Sequence, residues 1–297
     1  MSIRFIAVFA ASIFCAPAAI AAPDWQQVDA TLGRSGTEQA GGVHRYSFPR
    51  SDLNVTLDGV RIKPGLALGS WLAFQPHGDE AMVMGDLVLL HEEVNPVLSS
   101  LLESGLTITA LHNHLLRSAP GTMYMHIHGH GDLAQLAAAI KSALELTRTP
   151  LSPAVPAPSE PISIDTAAVD SALGAEGTAN GGVVQYSIPR HESITDAGVE
   201  VPASMGLGTV INLQPTGEGR AVTTGDFVLT ASEVTPVLRA LRESGIDVTA
   251  LHNHLGQEEP RLFFLHFWGN ADALTLAQGL RRALDSTNVA IAPRTGG

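Results

Sequence analysis

The sequence predicts an α+β fold made by tandem duplication of one domain, each copy having a largely antiparallel sheet and helices on one face. Three observations carry this. First, Thr109-Ala110-Leu111-His112-Asn113-His114-Leu115 recurs letter for letter as Thr249 to Leu255, 140 residues on. The same offset carries Tyr46-Ser47 onto Tyr186-Ser187, Gly85-Asp86 onto Gly225-Asp226, Glu93-Val94 onto Glu233-Val234, and Glu103-Ser104-Gly105 onto Glu243-Ser244-Gly245. A period this long makes each copy a domain rather than one turn of a solenoid. Second, the C-terminal half of each copy reads strand, helix, strand, strand, helix, with extended segments ahead of it, an order typical of α+β domains. Third, Thr149 to Pro161 contains Pro150, Pro153, Pro156, Pro158 and Pro161. Proline at that density excludes a helix or an inner strand and reads as an extended linker.

These signals divide the chain into a signal peptide over 1–21, a first repeat domain over 24–148, a Pro-rich linker over 149–161 and a second repeat domain over 162–293. In the first copy, extended segments are expected around 43–48, 54–62 and 66–75, followed by an apolar strand from Ala81 to Leu90. A helix follows. Asn95-Pro96 and Thr235-Pro236 read as an N-cap followed by proline at the first helical position. Val94, Val97, Leu98 and Leu101 keep helical spacing, and Gly105 and Gly245 stand where a left-handed residue closes a helix. Glu92 and Glu93 fall just before or within the first turn, where the helix dipole favours carboxylates. Strands at about 106–114 and 122–129 come next, then a helix from Asp132 to about Leu146, with Asp132 and Asp272 as N-caps and Leu133, Leu136, Ala137, Ile140 and Leu144 as the apolar stripe.

Composition narrows the function. Of 297 residues 45% are hydrophobic and 15% charged, enough for a substantial core. Seventeen Lys and Arg against 29 Asp and Glu leave a net charge of −12, which repels nucleic acid and anionic lipid. Aromatics at 5% are too sparse for base-stacking platforms.

Met1 to Arg4 is a short basic start, Phe5 to Ala16 has the length of a signal-peptide core, and Ala19-Ile20-Ala21 fits a cleavage site. The mature chain is expected to begin at Ala22 and to be periplasmic or secreted. Cys15, the single cysteine, lies inside the signal segment and is preceded by Phe14, which disfavours lipid anchoring. The mature chain then has no disulfide and no thiolate ligand. No later stretch is long and apolar enough to span a bilayer.

The twelve histidines concentrate in two short stretches. His112 and His114 lie two apart on one expected strand, and His126 and His128 on the next, so each pair points to one face. A hairpin centred near residue 119 puts His112 opposite His126 and brings all four imidazoles to one face. Neighbouring strands lie about 4.8 Å apart, within reach of a common ion. A one-residue slip would separate the pairs. Neutral imidazole suits a divalent transition metal, zinc or copper foremost. Glu93 is a candidate carboxylate ligand or general base, and His91 and His130 are further candidates without counterparts in the second copy. There His252, His254 and His266 survive, while Trp268 replaces His128 and Asn270 replaces His130. The first copy is therefore the expected metal site, and the second a weaker site or a pocket with an aromatic wall. Asp86 and Asp226 read as turn residues, and Arg50 and Arg190 as salt-bridge or capping residues. No nucleophile elbow, phosphate loop, dinucleotide fingerprint or H-E-x-x-H motif is present.

The paired Ala-Leu-His-Asn-His motifs, the His126-x-His128-Gly129 stretch and the twofold layout resemble the LppY/LpqO lipoprotein homologues, a bacterial family of exported proteins whose domain has no assigned function. The resemblance spans nearly all of the mature chain. It implies export and a repeated domain, and no activity or catalytic residue. The sequence departs from it at Cys15, which lacks lipoprotein context.

Three functional readings follow. In the first, His112, His114, His126 and His128 bind a divalent transition metal; as an enzyme this would be metal-assisted hydrolysis with Glu93 as base. In the second, the protein is a non-catalytic envelope module binding a glycan, peptide or partner protein. In the third it is a structural duplicate, with histidines serving the fold alone.

Overall fold

The computed structural model describes residues 23–152 and 161–291. The expected signal peptide and most of the expected linker lie outside the described residues.

The first repeat runs α1 (Trp25–Leu32), β1 (Thr37–Gln39), β2 (Val43–Pro49), β3 (Thr56–Leu57), β4 (Val60–Arg61), α2 (Pro64–Ala67), β5 (Gly69–His77), β6 (Glu80–Leu90), α3 (His91–Glu103), β7 (Thr107–His112), β8 (Thr122–Gly131) and α4 (Leu133–Leu144). The second runs α5 (Thr166–Leu173), β9 (Thr178–Asn180), β10 (Val183–Ile188), β11 (Thr195–Asp196), β12 (Val199–Glu200), β13 (Thr209–Gly217), β14 (Arg220–Thr230), α6 (Ala231–Glu243), β15 (Asp247–His252), β16 (Glu258–Glu259), β17 (Leu262–Asp272) and α7 (Ala273–Leu284). Each repeat holds a six-stranded antiparallel sheet of the same order, β1-β2-β5-β6-β8-β7 and β9-β10-β13-β14-β17-β15. The α+β class and the duplication are both as the sequence predicts.

Local chemistry explains most boundaries. Asp132 caps α4 by accepting from the Gln135 amide at 2.9 Å, and Asp272 does the same from Thr275 at 2.9 Å. Gly105, at φ 81°, ends α3, with Leu106 N donating to Leu101 O and Gly105 N to Leu102 O. The start of α3 differs from expectation. It begins at His91, so Pro96 lies inside it. The reason is Glu93, whose carboxylate accepts from the Leu90 amide at 2.8 Å; Glu233 likewise accepts from Thr230 at 2.7 Å. Thr230-x-x-Glu233 is a capping-box spacing, and it outweighs the Asn-Pro and Thr-Pro signals further on.

One face of each sheet packs under its own helices. In the first repeat Val83, Leu87, Leu89, Met125 and Ile127 meet Val97, Leu101, Ala137 and Ile140; the second repeat has the matching core. The opposite faces meet each other. Val43, Ala73, Met82 and Met84 share one buried cluster with Met205, Leu207, Val228, Leu255 and Phe264. Leu66, Leu68, Val88, Leu115 and Tyr124 share another with Val183, Val222 and Trp268. The strands of the two central pairs are therefore buried on both faces, β6 over nearly its whole length.

Cross-repeat hydrogen bonds come in reciprocal pairs. Gln214 Nε2 donates to Arg61 O at 2.8 Å and Gln75 Nε2 to Glu200 O at 3.0 Å. Gln185 Nε2 donates to Gly65 O and Arg45 Nη1 to Ser204 O, each at 3.2 Å. The repeats form a pseudo-twofold pair around one interior. Among the described residues no helix is long and apolar enough to cross a membrane.

Candidate metal centre

That interior holds the histidines. On β8 the side chains of Tyr124, His126, His128 and His130 alternate with Met125 and Ile127, so the imidazoles face the other repeat. The hairpin register differs from expectation. His112 pairs with Tyr124, and Ala110 with His126, after a bulge between Ile108 and Ala110. The shift is two residues, so the face is kept. His112 and His126 remain stacked, ring centroids 4.8 Å apart.

The second repeat supplies the other half. His112 Nε2 lies 3.2 Å from His266 Nε2, and His252 Nε2 lies 3.3 Å from His126 Nε2. Ligand nitrogens of His112, His126, His252 and His266 all lie within 4.8 Å of one another. His114 Nε2 sits 3.1 Å from His112 Nε2 and 3.3 Å from Asp86 Oδ2; His254 Nε2 sits 3.1 Å from Asp226 Oδ2. His114 stacks on Tyr124 and His254 on Phe264, which places the cluster between the two shared apolar clusters.

Three of the rings are oriented by backbone, His254 by Gly206 O at 3.2 Å from its Nδ1. His126 Nδ1 lies 3.3 Å from Gly85 O, and His266 Nδ1 lies 2.7 Å from Gly225 O. A ring that donates from Nδ1 to a carbonyl presents Nε2 as a bare lone pair. Burial pushes the pKa values of His112, His114, His126, His252 and His266 down; neighbouring imidazoles reinforce this in the first four, while Asp226 opposes it at His266. These rings are neutral near pH 7, the form that ligates metal. Burial and the charge of Asp226 push the Asp86 carboxyl up to about 8, against the pull of Arg45. Asp86 Oδ1 and Asp226 Oδ1 are buried with no hydrogen-bond partner.

The expected four-histidine site within the first repeat is thus corrected. His112, His114 and His126 come together, but with His252, His254 and His266 in one composite centre rather than two unequal ones. His128 does not join them. Its Nε2 lies 3.1 Å from Asp196 Oδ2 of the second repeat, with His130 beside it. Glu93 is not a base at this centre. It is held by Arg50 at 2.7 and 3.2 Å and accepts from the Leu90 and Arg148 amides. Arg50 also binds Asp52 at 2.9 Å and Val88 O at 2.8 Å, the salt-bridge role expected of it.

Asp86 and Asp226 are not turn residues. They occupy mid-strand positions, Asp86 between Trp71 and His126 in the register. Their signal was present: an ionisable residue in an otherwise apolar run, repeated in both copies. Asp196 had no such signal, because Leu57 stands at the matching place in the first repeat.

A family model described as Domain of Unknown Function (DUF1259) matches residues 26–146 and 167–286. The chain belongs to that family and carries its domain twice. A comparison with curated proteins finds no match. Among solved structures the chain is similar to the trimeric bacterial microcompartment shell protein PduB at 14% identity, covering 85% of this chain and 89% of that one, with a TM-score of 0.22. It is similar to EtuB from Clostridium kluyveri at 9% identity, covering 84% and 90%, with a TM-score of 0.19. Likeness at these scores supports no statement about fold or partners.

Proposed function

Since the family has no assigned function, the reading rests on this chain's own residues, and we propose that the protein binds a divalent transition metal, zinc or copper foremost, in the composite cluster. His112, His126, His252 and His266 are the ligands, and His114–Asp86 and His254–Asp226 flank them. The observation that carries this is spacing. Four nitrogens at metal–nitrogen bonds of about 2.0–2.1 Å in a tetrahedral site stand about 3.3 Å from one another. The cross-repeat nitrogen pairs stand 3.2 and 3.3 Å apart. Two neutral imidazoles meeting Nε2 to Nε2 share at most one proton, whereas a cation between them is bound by both lone pairs. A bound cation would draw the proton from Asp86, and the buried carboxyl groups would then supply compensating negative charge.

Metal-assisted hydrolysis loses the base assigned to it, since Glu93 is committed to Arg50. A centre closed between two sheets suits an ion held or carried better than one attacking a bulky substrate. The exported, envelope setting and the finer likeness to the LppY/LpqO homologues rest on the sequence.

The test is metal content by mass spectrometry on untagged mature protein beside the His112→Ala/His126→Ala double variant, with circular dichroism to confirm that both fold. Near-stoichiometric metal in the native protein and none in a folded variant supports the reading. Native protein that takes up neither zinc nor copper on reconstitution refutes it, and ligand binding that survives chelation would then favour the envelope module.

A further inference from the structure

One break in the pseudo-twofold symmetry along the seam changes the chemistry of the paired side chains. In one half, Trp268 and Leu57 belong to the same buried cluster, and the indole donates to Asp58 Oδ2 at 3.1 Å. In the other half the corresponding residues are His128 and Asp196. Asp196 is 3% exposed, and its Oδ2 lies 3.1 Å from His128 Nε2 and 3.9 Å from His130 Nε2. His128 Nε2 is buried and makes no well-aligned hydrogen bond, although it points at a carboxylate. The fold is satisfied by an apolar pair in one half. Burying a carboxylate and an imidazole in the other costs desolvation that packing does not require. Ligand atoms of His128, His130 and Asp196 lie within 4.8 Å of one another.

The three histidines of β8 also form a graded series. The side chains of His130, His128 and His126 are 42%, 16% and 4% exposed, at alternate positions on one face. Alternate residues on a strand are about 6.5–7 Å apart. The series runs from solvent to the buried cluster.

We propose that His128, His130 and Asp196 form a second, solvent-reachable transition-metal site at the seam, which captures the divalent ion and loads the buried cluster. Two imidazoles and one carboxylate, reached from solvent through the exposed His130, make a site that binds and releases, unlike the four-nitrogen interior. The loading role rests on the proposed occupancy of the cluster; the seam site does not.

The experiment uses full-length mature protein stripped of metal and titrated with Co(II), followed by stoichiometry and by stopped-flow absorbance. The variant His128→Trp/His130→Asn/Asp196→Leu installs the pair and the asparagine that the other repeat already accommodates. His130→Asn alone is a milder control at an exposed position. The expected result is two equivalents bound by the native protein and one by the triple variant. Loading of the remaining equivalent should slow by roughly tenfold, the lower end of what losing metal-positioning groups costs. His130→Asn should slow it in the same direction. One equivalent in both proteins, loaded at equal rates, overturns the seam site and leaves the buried cluster standing. Two equivalents falling to one with no change in rate overturns the loading role. No cobalt in native protein that still takes up one equivalent of zinc or copper overturns the seam site alone, and no uptake of any of the three refutes the cluster reading as well.

Discussion

Chelator-treated protein should be markedly acid-sensitive just below neutral pH. The perturbation is a change from pH 7 to pH 6. His112, His114, His126, His252 and His266 are held neutral by burial, whereas in the unfolded chain they titrate near the ordinary value of about 6.5. For a base whose folded pKa is depressed, stability is present above the unfolded pKa and lost as pH falls through it, because the unfolded chain binds protons that the native one cannot. Each ring held far down loses about 0.7 kcal/mol over this interval, and His112, His114, His126 and His252, with a smaller part from His266, together lose about 3 kcal/mol. Asp86 acts in the opposite sense. Its folded pKa is raised to about 8, so the native chain keeps a proton that the unfolded chain has released, and acidification returns about 1.3 kcal/mol. The net expectation is a loss of about 2 kcal/mol. The repeats share two apolar clusters, so they should unfold together. Urea denaturation with chelator at the two pH values reads the difference as a lower midpoint at unchanged slope. Equal or greater stability at pH 6 would refute the account of a dry, neutral histidine cluster.

Two further substitutions probe what positions the centre. A Cβ added at Gly225 would lie 1.9 Å from Val210 O, so Gly225→Ala should cost at least about 3 kcal/mol and disturb the carbonyl that orients His266; an unchanged Tm would contradict the packing described. Arg50→Met leaves Glu93 buried without its partner and should cost about 3–5 kcal/mol, with Glu93→Gln in the same chain recovering part of it; a thermal melt showing no loss would argue against a structural role for that pair.

Much of the fold was legible because duplication prints each signal twice. The Asp132 and Asp272 caps, the Gly105 and Gly245 stops and the β6 and β14 strands each follow from a local pattern present in both copies. The short helices α1 and α2 escaped, as did the true start of α3, where the Glu93 carboxylate accepting from the Leu90 amide overrode the Asn-Pro signal. Of the centre, His112 and His126 could be read from alternation on adjacent strands, and so could His252 and His266, while His114 and His254 lie just past the ends of β7 and β15. The hairpin could not be centred correctly, because the connection between His112 and Thr122 carries no local pattern that fixes its register; the bulge at Thr109 lies beyond His112 and shifts only Thr107 and Ile108. Alternation survived the error only because the slip was two residues.

The sequence by itself determined the duplicated α+β architecture, the faces of the strands and the residue types gathered at the centre, since each depends on neighbours a few positions apart. Which histidines meet was decided by the tertiary structure alone. His112 meets His266 across a separation of 154 residues, and His128 turns to Asp196 instead of to His126. These contacts depend on how two sheets pack face to face, and no periodicity within either copy encodes the registration of one sheet upon the other.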